Sequence, residues 1–285
     1  MSKAGTLKAL IATPDLFLAP GCFDGLSARL VEQAGFQIAY ASGGAIARGY
    51  GVPDLGLLAF TEVADRMEQI ASAVDIPVIA DFDTGYGNAL NAQRAARFFL
   101  RSGVAGIHIE DQTFPKKCGH YDDKSVVPAA VMQGKIRAVR DVVGDDLVLI
   151  ARTDALAVEG FDRAIERCHA YSEAGADMIF FEAPQTEEQI REAARLLPCP
   201  KLLNMFRGGK TPPVPLPRLR ELGYRVVIVP SDLQRAAIHA MMRALEALGR
   251  DGDTAAIADE MVSFRDREAI VGSERYDQLD RRYAE

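Results

Sequence analysis

Eight short apolar runs recur along the chain, each followed by a longer segment of helical period. The runs are FLAPGCFD (17–24), QIAYAS (37–42), PVIADFD (77–83), GIHIED (106–111), LVLIARTD (147–154), MIFFEA (178–183), KLLNMF (201–206) and VVIVP (226–230). Most are apolar through their length rather than alternating, which is the pattern of parallel strands buried on both faces. Between them lie stretches such as GLSARLVEQAG, TEVADRMEQIASAV, ALNAQRAARFFLRSG and FDRAIERCHAYSEAG. Several of these close on Gly, a helix stop. Eight strand–helix units predict an α/β fold, a (β/α)8 TIM barrel, and the 285 residues suit a barrel of roughly 250 residues with additions. An open doubly wound sheet is the structural alternative, but it would carry a glycine-rich nucleotide turn, and none is evident.

The additions are readable. SKAGTLKALIA predicts a helix ahead of the first strand. The barrel should occupy about 15–250 of a single domain, with a polar helical extension over about 254–285 that the eightfold pattern does not use. TPPVPLP (211–217) reads as a rigid loop before a short helix. The net charge of −7 argues against a nucleic-acid or membrane-surface partner, either of which needs a basic face. The start has no leader-like apolar core, and no apolar run reaches the roughly 20 residues of a membrane span. Cys22, Cys118, Cys168 and Cys199 show no paired metal-ligand spacing, and a chain of this size needs no disulfides. These features point to a reducing cytoplasm.

Polar residues gather at the C-terminal ends of the runs: Ser42, Asp81, Asp83, Glu110, Asp111, Arg152, Asp154, Glu182 and Asn204. In a barrel those ends converge on the face that bears active sites. Asp81 and Asp83 are two apart, so an extended strand would place them on one face. Two like charges so close call for a cation. With Glu110 and Asp111 they form a set of hard oxygen ligands suited to Mg²⁺ or Mn²⁺ and not to structural Zn²⁺. KKCGH (116–120) sets Cys118 beside two lysines and a histidine, and neighbouring cations favour a thiolate able to exchange protons with carbon. The glycines of ASGGA (41–45) let backbone amides approach an anion. Arg152 is a candidate carboxylate clamp. His108 reads as a core residue on an apolar strand, and His169 and His239 as helix residues without a chemical role.

YASGG (40–44), PDLG (53–56), DFDTGYG (81–87), IHIEDQ (107–112), KKCGH, ARTDA (151–155) and EAGADMIFFEAP (173–184) follow one another in the order that resembles the isocitrate lyase/phosphoenolpyruvate mutase superfamily. The likeness spans residues 15–245. KKCGH resembles the lyase branch, whose loop cysteine is catalytic; the mutase and phosphonopyruvate hydrolase branches lack it. Within that branch the chain is similar to the 2-methylisocitrate lyases and to the 2,3-dimethylmalate lyase/oxaloacetate hydrolase group that includes the petal death protein. NMFRGGKTP (204–212) is closer to the latter group, with Arg207 standing where both carry an acidic residue.

The resemblance implies a Mg²⁺-dependent carbon–carbon lyase that cleaves a small 2-hydroxy di- or tricarboxylate. Oxaloacetate hydrolysis is the alternative. Phosphonate chemistry and a non-catalytic carboxylate-binding barrel are disfavoured by the intact cysteine and acid motifs. It implies that Ser42, Gly43, Gly44, Lys117, Gly119, Asn204 and Arg207 bind substrate. Asp83, Asp81, Asp54 and Glu110 would hold the metal, and Cys118, Tyr40, Glu182, Arg152 and His120 would serve catalysis. Cys118 would protonate the carbanion, with Tyr40 or a metal-bound water as candidate base. It also implies a homotetramer exchanging C-terminal helices.

Overall fold

The computed structural model describes every residue except 118, 120–122 and 285. Eight parallel strands close into a barrel in the order β1 through β8. They are β1 Phe17–Cys22, β2 Ala39–Ala41, β3 Val78–Asp81, β4 Gly106–Glu110, β5 Val148–Thr153, β6 Met178–Phe181, β7 Lys201–Asn204 and β8 Tyr224–Val229. Each lies inside its apolar run or within two residues of it, and the polar tail of most runs extends past the end of its strand. The expected helix before the first strand is Lys3–Ala12, capped by Ser2, whose side chain accepts from Gly5 N. The Pro-rich loop leads into the short helix Leu216–Glu221.

Strand side chains alternate between two cores. Ile38, Tyr40, Ile79, Val148, Ile150, Met178, Phe180, Leu202, Val226 and Ile228 fill the barrel interior, with Leu7 and Ile11 of the first helix packed among them. Ala39, Ala41, Val78, Ala80, Ile107, Ile109, Leu149, Ala151, Ile179 and Phe181 face outward onto the helix layer. This parity decides the site. Continuing each inward series toward the C-terminal end reaches Ser42, Asp81, Glu110, Arg152, Glu182 and Asn204, whereas Asp111 and Thr153 fall on the outward series.

The chain divides into two compact units, Met1–Asp232 and Leu233–Glu285. The first holds all eight strands. The second holds most of the helix Asp232–Asp251, a 3-10 turn Ala255–Glu260 and the helices Phe264–Val271 and Ser273–Tyr283. Among the described residues no helix is long and apolar enough to cross a membrane.

Candidate active site

Ser42 follows β2 and caps the helix Gly43–Gly49, its hydroxyl accepting from Ala45 N at 3.4 Å. The two glycines that follow are required by packing. A Cβ on Gly43 would stand 2.5 Å from Asp81 Oδ2, and one on Gly44 would stand 2.8 Å from Asp54 Oδ2. The Ser-Gly-Gly turn therefore lies directly against two of the predicted metal-binding carboxylates.

The pairing of Asp81 and Asp83 differs from the sequence expectation. β3 ends at Asp81, and Asp83 holds a left-handed backbone with φ 47°, so the two do not share one face of a continuous strand. Instead Asp83 N donates to Asp81 Oδ1 at 3.0 Å, forming a tight turn. Tyr86 and Ala183 are the other non-glycine residues described with positive φ, and all three follow strand ends at the barrel mouth. Strained backbone of this kind costs about 1–3 kcal/mol and is retained where surrounding packing over-determines it.

Lys116 sits among the acids. Its buried ammonium lies 2.5 Å from Asp54 Oδ1 and 2.8 Å from Asp83 Oδ1. Burial alone would lower its pKa, but Asp83, Asp81, Asp54 and Glu110 outweigh that and hold it well above the usual lysine value. Burial, reinforced by Asp81 and Asp54 against Lys116, raises the Asp83 carboxyl above its ordinary range. Glu110 is raised further, again by burial first. Among the described residues its Oε1 is buried without a hydrogen-bond partner, and its Oε2 lies 3.3 Å from Arg152 Nε. Lys116 is the site residue that the sequence pattern passes over in favour of Lys117. The structure turns the Lys117 side chain toward Asp123, while its backbone is held at both ends by the Gln112 amide at 2.9 Å.

Arg152 occupies the other side of the mouth. Nε and Nη2 donate to Asp154 at 2.8 and 3.0 Å, Glu182 Oε1 is 3.9 Å away, and the guanidinium carbon lies 5.1 Å from the Phe180 ring centroid. Asn204 Nδ2 donates to Glu182 Oε1 at 3.4 Å. Burial would weaken the cation, yet Asp154, Glu110 and Glu182 keep its pKa well above normal. Gly119 packs on this group: a Cβ there would collide with both Arg152 Nη2 and Glu182 Oε1. The loop carrying it closes at its base through the antiparallel bridge Gln112–Val126 and Thr113 N donating to Ser125 O at 2.9 Å. Cys118 and His120 lie outside the described residues.

Tyr40 and His108 form a buried pair, Tyr40 OH 2.8 Å from His108 Nε2. Asp81 Oδ1 is 3.6 Å from the same nitrogen. Burial and then Arg152 push the imidazole down to about 3. Burial and then Asp81 push the Tyr40 phenol well above its ordinary value. His108 is thus a neutral core residue, as its apolar strand implied, but it also faces the site. Its inward parity with Glu110 was the available signal. Asp111 is a correction. It is not with the inward acids; it points to the helix layer and accepts from Thr153 Oγ1 (2.7 Å), Tyr171 OH (2.8 Å) and Asp154 N (2.9 Å). Arg207 is exposed on the loop after β7.

A closed (β/α)8 barrel whose mouth gathers the carboxylates of Asp54, Asp81, Asp83, Glu110 and Glu182 with a buried lysine and an anchored arginine defines the site of an enzyme. The phosphoenolpyruvate phosphomutase family model matches residues 7–249, and the chain belongs to that family, within the isocitrate lyase/phosphoenolpyruvate mutase superfamily. It is similar to 2,3-dimethylmalate lyase of Eubacterium barkeri, 40% identical over 100% of this chain and 99% of the relative. It is equally similar to 2-methylisocitrate lyase of Bacillus subtilis, 40% identical over 99% and 93%. Among solved structures it resembles oxaloacetate acetylhydrolase bound to the inhibitor 3,3-difluorooxalacetate, with TM-score 0.94, 34% identity and coverage of 99% and 97%. It also resembles phosphonopyruvate hydrolase in complex with oxalate and Mg²⁺, with TM-score 0.91, 32% identity and full coverage of both chains. The chain is an enzyme of this superfamily, and the curated relatives just named are lyases.

Proposed function

We propose that the protein is a divalent-cation-dependent carbon–carbon lyase. Its substrate would be a small 2-hydroxy di- or tricarboxylate of the 2,3-dimethylmalate or 2-methylisocitrate type, and its products an α-keto acid and a second carboxylic acid. What supports this reading over phosphonate chemistry is the cysteine of KKCGH, which the resemblance ties to the lyase branch; the neighbouring residue Gly119 packs against Arg152 and Glu182.

Among the described residues no three acidic, histidine or cysteine side chains already form a coordinating group. The donor chemistry nevertheless fits a hard cation whose shell is completed by water or substrate. Asp54, Asp81, Asp83 and Glu110 crowd around the single ammonium of Lys116, and among the described residues Glu110 Oε1 has no hydrogen-bond partner, so the cluster offers more oxygen ligands than Lys116 engages. Asp83, with Asp54, Asp81 and Glu110, would hold Mg²⁺ or Mn²⁺. When bound, the cation would supply Lewis acidity that makes the substrate hydroxyl easier to deprotonate.

The chain's own groups do the rest. The amides of the Ser42–Gly43–Gly44 turn hold the α-oxy-acid end, and Arg152 clamps a carboxylate with Glu182 and Asn204 beside it. The hydroxyl proton leaves to a base, the C2–C3 electron pair stays on C3 as an aci-carboxylate carbanion, and Cys118 protonates that carbon. Tyr40, held neutral by burial and hydrogen-bonded to a neutral His108, stands at the site as a phenol rather than as a resident phenolate.

A second reading, hydrolysis of oxaloacetate, is favoured by the fold match to oxaloacetate acetylhydrolase, and that branch shares the cysteine. The two are separated by incubating the protein with Mg²⁺ and 2-methylisocitrate, 2,3-dimethylmalate, isocitrate or oxaloacetate, with and without EDTA. Release of keto acid from a 2-hydroxy acid, abolished by EDTA, is expected. Turnover of oxaloacetate alone, giving oxalate and acetate, would replace the lyase reading.

Assembly as a helix-exchanged homotetramer is part of the proposal. In the second unit, Ile238, Met241, Met242, Leu245 and Leu248 form an exposed apolar stripe at helical spacing along Asp232–Asp251, which a neighbouring subunit would cover.

A further inference from the structure

Asp154 is fully buried and no step above uses it, yet it is the junction of three elements. From behind, its backbone N–H donates to Asp111 Oδ1 at 2.9 Å. Asp111 is itself anchored by Thr153, Tyr171 and Arg167, the last 3.3 Å away. Arg167 is clamped in turn by Glu159 at 2.7 and 2.6 Å. In front, the two Asp154 oxygens receive Arg152 Nε and Nη2 side-on. Lys124, whose side chain is 1% exposed, reaches in from the far end of the loop to Asp154 Oδ1 at 2.7 Å. It also donates to Gly119 O.

A guanidinium is a planar fork with five N–H groups. Two-point attachment along the Nε–Nη2 edge fixes both its position and its plane, and leaves the remaining N–H groups for a ligand. Beside Glu110 and Glu182, an unanchored Arg152 would swing to whichever acid lies nearest. Asp154 removes that freedom, and Asp111 removes the freedom of Asp154. Lys124 adds a second cation, so the Asp154 charge is not left uncompensated in a dry pocket.

We infer that Asp154 is a positioning residue for the carboxylate clamp: it sets the orientation in which Arg152 meets substrate, with Asp111 as its rear anchor. The inference rests on the reading of Arg152 as that clamp. Asp154→Asn keeps the shape but places an amide among two cations. Asp111→Asn leaves the Asp154 charge in place and loosens only its anchor.

The test compares wild type, Asp154→Asn, Asp111→Asn and Arg152→Gln in steady-state assays with Mg²⁺. The substrate is whichever of 2-methylisocitrate, 2,3-dimethylmalate and oxaloacetate the wild type turns over best, and Tm is measured in parallel. Asp154→Asn should raise KM by about tenfold to a hundredfold, the loss of one charge-assisted contact, with kcat changed by less than about threefold, since the contact exists in ground and transition states alike. Asp111→Asn should raise KM in the same direction by a smaller factor. If both variants keep wild-type KM and lose only Tm and the active fraction, Asp154 is a structural ion pair and the inference falls while the clamp stands. An Arg152→Gln enzyme with unchanged KM would overturn the clamp and the inference together.

Discussion

Gly43→Ala probes the packing of the Ser-Gly-Gly turn on the acid cluster. The added methyl carbon would sit 2.5 Å from Asp81 Oδ2, 2.8 Å from its Cγ and 3.1 Å from its Cβ. A carbon–oxygen contact needs about 3.4 Å or more, so the Asp81 side chain must move by the better part of an ångström. It has little room, because Oδ1 accepts from Asp83 N and the residue is 6% exposed. Overpacking of this kind costs about 1–3 kcal/mol, and each kcal/mol lowers Tm by roughly 2–4 °C in a domain of this size. The same displacement tilts Asp83, so the Mg²⁺ concentration for half-maximal turnover should rise at least tenfold, a change of about 1.4 kcal/mol. Gly134→Ala is the control. It lies within the helix Ala129–Val143, an added Cβ there would meet nothing within 4 Å, and alanine should stabilise by about 0.5–1 kcal/mol. Thermal melts and Mg²⁺ titrations of activity read both. A Gly43→Ala enzyme with wild-type Tm and wild-type Mg²⁺ dependence would refute the claimed contact.

Asp83→Ala should remove turnover at any Mg²⁺ concentration while the fold survives, since Lys116 keeps Asp54 as a partner; activity in EDTA or in this variant, measured as keto-acid release, would end the metal assignment. Cys118→Ser should slow turnover by about 10²–10⁴-fold and leave KM little changed, and a near-normal rate would remove the thiol from the mechanism. Cys22 and Cys168 are fully buried; burial and then Asp24 push the Cys22 thiol up to about 12, and burial raises Cys168 well above its usual value. Iodoacetamide at neutral pH should therefore leave both unmodified in the native protein, as read by peptide mass spectrometry, and alkylation of either without unfolding would contradict the packing.

The architecture was legible because periodicity and burial are local signals. A run apolar on both faces must be covered on both, here by the barrel interior and the helix layer, and the eight runs contain or overlap the eight strands. The convergence of strand-end polar residues followed from closure. Even the inward set, Ser42, Asp81, Glu110, Arg152, Glu182 and Asn204, is written in the alternation. Charge alone groups Asp111 with the strand-end acids of the site, although its parity with Ile107 and Ile109 places it with the outward-facing residues.

Other features depended on contacts across the chain. Nothing in KKCGH distinguishes Lys116 from Lys117; the choice is made by Asp54 and Asp83, which are distant in sequence and pull one ammonium inward, while Gln112 holds the backbone of the next residue. Strand periodicity could not show that Asp83 leaves the strand, because its left-handed turn is held by the Asp81 carboxylate. The sequence by itself determined the barrel, the face that bears the site and the kinds of groups found there, because these follow from which residues must leave water. Only the tertiary structure decided which charge meets which, because buried ion pairs form where desolvation and Coulomb attraction balance between segments that the sequence keeps far apart.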